Sequence, residues 1–171
     1  MLRLVVLASL LIGCRISLQD APSVGDDDDD DMPAGRVCKV DTRSATCLEA
    51  EAGQHADLTF IENSIFKGAC AFSGCHNGAN TPEGKVDLTV GQSHAHLVNF
   101  ASALEPTRKL VVPNDLEASY LILMLHDIEP NEASPPGSAP EPGYMPKGNK
   151  PLCCQKLDAI ERWILAGAPS N

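Results

Sequence analysis

Cys70-Ala71-Phe72-Ser73-Gly74-Cys75-His76 carries more chemistry than any other stretch of this chain: two thiols with four residues between them, and an imidazole directly after the second. The flanking sequence reads as helix on both sides. Upstream, Thr59-Phe60-Ile61-Glu62 has the form of a capping box, and Ile61 with Ile65 at helical spacing predicts a short helix that stops near Gly68 and hands the chain to Cys70. Downstream, loop formers fill Asn77 to Gly84, and Val86-Asp87-Leu88-Thr89-Val90 leads into a helix from about Gln92 to Phe100. A further helix is expected from Asn114, with Glu117 completing a second capping box, through Ser119-Tyr120-Leu121-Ile122-Leu123-Met124-Leu125. Its apolar residues fall on nearly every face, so it belongs in the interior. Glu129 to Pro151 holds seven prolines and no periodicity, a loop of a length that usually serves function. The last helix is expected from about Cys154 to Ala166, with Leu157, Ile160 and Ile164 on one stripe, Trp163 beside it, and Gly167 and Pro169 ending it. No stretch reads as a strand, and the fold class is all-α.

The chain has 171 residues with 43% hydrophobic content, which suits one domain with one core. It is poor in aromatics, with one Trp, two Tyr and four Phe, so a bulky apolar ligand would help to fill its interior. A net charge of -10 excludes nucleic acid as a partner and favours basic proteins. Met1-Leu2-Arg3 followed by the apolar run Leu4 to Ile12 fits a secretory signal, since nine residues are too few for the ~20 that span a bilayer. The run ends in Leu11-Ile12-Gly13-Cys14, the form of a lipobox, which makes Cys14 the expected acylated anchor to a bacterial envelope membrane. Ser17 to Gly35, with the unbroken run Asp26 to Asp31, reads as a solvated, self-repelling tether rather than a calcium loop, whose ligands are spaced. The expected organisation is a signal peptide over 1–13, anchor and tether over 14–50, and the folded domain over 51–171.

Export places the remaining cysteines where thiols oxidise, and a Cys38 to Cys47 disulfide is the simplest expectation. Cys-His is also the ending of a haem c attachment site, in which two thiols add to the haem vinyl groups and the His supplies an axial nitrogen. Four residues separate Cys70 and Cys75 where two are usual. Two other arrangements use the same residues: disulfides from Cys70 and Cys75 to Cys153 and Cys154, making a haem-free stapled module for interaction or structure, and a zinc site of Cys70, Cys75, His76 and one of Cys153 or Cys154. The sequence motifs of serine hydrolases, zinc peptidases and phosphate-binding loops are absent, so an electron carrier is a better expectation than an enzyme.

Ile65-Phe66, Cys75-His76, Val86-Asp87-Leu88, Leu97-Val98-Asn99, Val112-Pro113, Ala118-Ser119-Tyr120-Leu121-Ile122, Met145-Pro146 and Arg162-Trp163-Ile164 with Gly167-Ala168 follow one another in an order that resembles the planctomycete-type cytochrome c domain over roughly residues 58 to 169. The resemblance implies a small helical domain around one covalent haem c, held through Cys70 and Cys75, with His76 and Met145 as proximal and distal iron ligands. It implies single-electron exchange with redox partner proteins. A thioether is a suitable soft axial ligand and raises the reduction potential relative to a second imidazole. Pro146 restricts the backbone of Met145 to extended conformations, which suits a loop that presents a sulfur. His96 and His126 are the rival distal ligands.

Overall fold

Asp57 opens the helix that leads to the site. Its Oδ1 accepts the Phe60 N–H at 2.7 Å, meeting one of the donors that a helix start leaves bare. Its second oxygen lies 3.1 Å from His55 Nδ1, and the His55 ring stacks flat on Phe60 with centroids 3.7 Å apart. The cap is therefore Asp57 and not Thr59, because Glu62, the other half of the expected box, is drawn into the interior. The computed structural model describes residues 38, 43–72, 74–78, 86–126, 145–147 and 149–171. The expected signal peptide, Cys14, the aspartate run and most of the proline-rich loop lie outside the described residues.

Helix α1 covers Ala45–Ala52, capped by Ser44. The rod behind Asp57 is α2, Leu58–Phe60, then a π-helical stretch, Ile61–Phe66, then α3, Lys67–Ala69. After it come α4, Ser93–Leu97, α5, Tyr120–His126, and α6, Cys154–Leu165. Among the described residues there is no strand; single bridges such as Val98 with Val111 and Lys109 with Ser119 knit the segment before α5. The chain is helix-rich, and no helix among the described residues is long and apolar enough to cross a membrane.

The core forms where the rod, α5 and α6 meet: Ile61, Ile65, Phe66, Tyr120, Leu123, Ile160, Trp163 and Ile164 are almost wholly shielded from water. Polar clasps at the edges keep these elements in register. Arg162 donates from Nε to the His55 carbonyl at 3.1 Å and from Nη2 to the Ala50 carbonyl at 3.2 Å, tying α6 to the end of α1. Buried Glu62 accepts the Ser93 hydroxyl at 2.7 Å and the Gly91 N–H at 2.8 Å, tying the rod to the start of α4. Trp163 Nε1 donates to the Pro169 carbonyl at 2.8 Å, and the Thr59 N–H donates to the carbonyl of Asn171 at 2.9 Å, so the C-terminus folds back on the rod.

Other expectations are corrected. The disulfides join Cys38 to Cys154 and Cys47 to Cys153, not Cys38 to Cys47, and neither Cys153 nor Cys154 bonds to Cys70 or Cys75. The physical reason is α1: in a helix packed on α6, Cys47 is buried and turned toward the start of that helix. Residues 45–50, at the end of the segment expected to be anchor and tether, lie in α1, where Cys47 and Ala50 are buried. Helix α5 also starts later than expected, at Tyr120. Asn114 adopts φ +63° and donates its N–H to the Ile164 carbonyl at 2.8 Å, which uses it as a contact with α6 instead of a cap.

Peptide mapping without reduction is expected to return the 38–154 and 47–153 links. Replacing Cys47 and Cys153 together by Ser should cost about 2–5 kcal/mol, read from the denaturant midpoint. Asp57→Ala should cost about 1 kcal/mol. Burial works to raise the Asp57 carboxyl, but the Phe60 N–H and His55 outweigh it and hold it below its ordinary 3.8. That contribution is complete above the unfolded value and fades as pH falls through the lower folded one, so the difference between Asp57→Ala and the parent should be present at pH 7 and shrink in acid.

Candidate functional site

The rod ends on a wide turn in which the N–H groups of Cys70 and Ala71 both donate to the Phe66 carbonyl at 2.8 Å. The chain then closes on itself. Cys75 N–H donates to Phe72 O at 3.0 Å around Gly74, whose φ of +88° favours glycine, and His76 N–H donates to Cys70 O at 3.1 Å. Leu88 N–H reaches the His76 carbonyl at 2.9 Å and fixes the returning segment. Gly78 likewise has a positive φ, +74°, and a Cβ there would stand against the Asp87 carboxylate.

This closed loop forms one wall of a cavity of about 430 Å³, within the ~300–1,000 Å³ range of small-molecule sites. Phe66, Leu88, Leu97, Leu110, Leu121 and Leu125 supply apolar surface from the rod, α4, the bridged segment and α5. Cys70, Cys75 and His76 line it, and so does Met145 from the far side of the proline-rich segment. Met145 is tied there by its own backbone, whose N–H donates to the Met124 carbonyl on α5 at 3.0 Å. Met124 also lines the cavity.

The rival ligands lie elsewhere. His126 is buried with Nε2 at 2.8 Å from Glu161 Oε1, a contact that joins α5 to α6. His96 packs at a tilt on Phe100, ring centroids 5.9 Å apart, and His94 on the same helix meets the Ala168 carbonyl at 3.0 Å. None of the three lines the cavity. The four-ligand zinc arrangement is also overturned, because Cys153 and Cys154 are consumed in disulfides to other segments. Among the described residues no group of three or more His, Cys, Asp or Glu is arranged to hold a metal ion.

Burial pushes the Cys70 thiol up to about 12, the nearby Cys75 adds to the shift, and Lys156 opposes it. Such a thiol stays protonated at neutral pH, which makes it a poor nucleophile and a poor thiolate ligand. Lys156, half-buried on the first turn of α6, has its own pKa lowered by burial, with Cys70 acting against the shift. Lys147 and the exposed Phe72 and Leu104 complete the cavity's edge. Sequence reading did not single these out, since a lysine two residues past Met145 carries no motif. No protein-family model, curated protein or solved structure matches the chain.

In protein made without haem loading, alkylation at pH 8 is expected to label Cys75 first, with Cys70 slower by roughly a hundredfold or more until denaturant is added. Equal rates in the native protein would contradict the buried setting of Cys70.

Proposed function

We propose that this chain carries single electrons on one covalently held haem c, as an envelope lipoprotein similar in kind to the planctomycete-type cytochrome c domain. The observation that carries the reading is convergence: Met145, far along the chain from Cys70, Cys75 and His76, lines the same apolar cavity as those three, so the four residues expected to attach and ligate the haem meet at one site. The residues suit the group chemically. Cys70 and Cys75 offer sulfur for thioether links, His76 an imidazole nitrogen, and Met145 a soft thioether. When bound, the haem supplies an iron that gains and gives up one electron.

The remaining work belongs to the protein. Apolar walls keep water from the ring and, with a His/Met ligand pair, raise the reduction potential. The bond from the Met145 N–H to the Met124 carbonyl would hold the Met145 backbone beside the cavity. Phe72 and Leu104, large apolar residues exposed at the cavity's edge, suit brief contact with redox partner proteins. A lipid on Cys14 and the acidic tether would hold the domain at the membrane while leaving it room to meet them, and the overall charge of -10 favours partners of basic surface.

The test is production in a periplasm that matures c-type cytochromes. The expected protein keeps its haem through acid-organic extraction, and Met145→Ala keeps the haem but lowers the midpoint potential by on the order of 0.1 V, well inside the ~0.8 V that axial ligands command. His126→Ala, by contrast, leaves the iron's spectrum unchanged. A Met145→Ala potential equal to the parent's would remove Met145 from the reading.

A further inference from the structure

The two disulfides that meet at the start of α6 differ in their setting. Cys47 and Cys153 are buried, whereas Cys38 and Cys154 are both only half-buried. The inner link pins α1, which also gives its Ala50 carbonyl to Arg162. With that link closed, the outer one closes no more than the short ring of residues 38–47 and 153–154, and a short ring removes less freedom from the unfolded chain than a long one. The outer link can therefore open without unpinning α1 from α6. What it holds is the chain before α1, which leads back through the expected tether to Cys14. The domain is joined to that N-terminal segment twice, through the backbone of residues 39–46 and through Cys38–Cys154.

We propose that Cys38–Cys154 is a thiol–disulfide exchange site for a dithiol reductant of the envelope, and that its reduction opens the second attachment while Cys47–Cys153 keeps the fold. The inference rests on the exported, lipid-anchored part of the reading above and is independent of the haem. A thiolate of the reductant attacks Cys38 Sγ, a mixed disulfide forms there, and Cys154 leaves as a thiolate that is then protonated. The reductant's second thiol closes on its own sulfur of the mixed disulfide and releases Cys38 as a thiol. The reductant ends as a disulfide, and two electrons and two protons have passed from it to the pair. Cys154 is the better leaving group of the two because it opens a helix of 12 residues, where bare N–H groups and the helix dipole favour a thiolate. In the opened form residues 38–43 join the leash and add up to about 20 Å of reach at ~3.3–3.6 Å per residue. A chain cut after Lys39 or Arg43 then parts from its anchor, whereas in the closed form the bond to Cys154 still holds the two pieces together.

The test exposes the full exported chain, in its native state, to rising dithiothreitol, tags each freed thiol with an alkylating agent and assigns the tags by peptide mass. Cys38 and Cys154 are expected to open at a reductant concentration roughly tenfold or more below that for Cys47 and Cys153, with the helical circular dichroism unchanged between the two steps. Tryptic cleavage after Lys39 and Arg43 should quicken several-fold on the first step, while cleavage after Arg36, outside the ring, keeps its rate. Cys38→Ser with Cys154→Ser should show the quickened cleavage without reductant and retain the inner link; where that variant does not fold, a parent that keeps its helices with the outer pair reduced decides. Simultaneous opening of both links, opening of Cys47–Cys153 first, or loss of helix when Cys38 and Cys154 alone are reduced overturns the proposal. Failure of the chain to float with phospholipid vesicles brings down the lipid anchor, and the leash with it, but not the order of opening.

Discussion

The arrangement of the domain depends on two disulfides that leave adjacent residues. Cys153 and Cys154, at the cap and first position of α6, bond to Cys47 and Cys38, so the segment 38–47 is closed into a ring with the start of that helix. Both links close loops of more than a hundred residues, with sequence separations of 116 and 106, the length at which a cross-link removes most freedom from the unfolded chain in the loop-entropy account. What they fix is α6. That helix gives the core Trp163, Ile160 and Ile164, clasps α1 through Arg162, and packs on the π-helical stretch of the rod. The rod on which α6 packs delivers Cys70 to the cavity wall.

A cavity of this kind is expensive in a small domain. Apolar wall left to water forgoes about 25 cal/mol for every Å² that could be covered, against a net stability that for most domains is only about 5–15 kcal/mol. The chain has few aromatic side chains with which to fill such a space, and most of its large ones, Phe66, Tyr120 and Trp163 among them, are already committed to the core. A flat apolar ring with polar sulfur and nitrogen attachments at one wall answers both conditions. The buried thiol of Cys70 fits the same account, since a site for thiol catalysis or for a thiolate-bound metal needs the opposite electrostatics.

How much of this was legible from sequence depended on whether the signal was local. Helix α6 was readable almost to the residue because its stripe, its N-terminal break and the Gly167-Ala168-Pro169 ending all lie within it. Cys70, Cys75, His76 and Met145 were singled out by residue type, order and family resemblance, and all four line one cavity. The pairing of cysteines was not readable, because spacing alone does not choose among the ways six thiols can pair, and packing selects four of them for two disulfides. Glu62 misled for a related reason: three residues after Thr59 it resembles a capping partner, but a hydroxyl and an N–H near α4 claim its carboxylate. Helix α1 escaped notice because its apolar pattern is weak, and α6 with a disulfide supplies the stability that its own sequence lacks.

The most direct test of the account is the intact mass, under denaturing conditions, of protein exported through a haem c maturation system. The account predicts one haem added through both Cys70 and Cys75, lost in the Cys70→Ala, Cys75→Ala double variant, together with the loss of four hydrogens for the two disulfides at Cys153 and Cys154. A colourless chain with those disulfides intact and no haem mass would contradict it, and would leave a stapled helical module whose cavity serves another ligand.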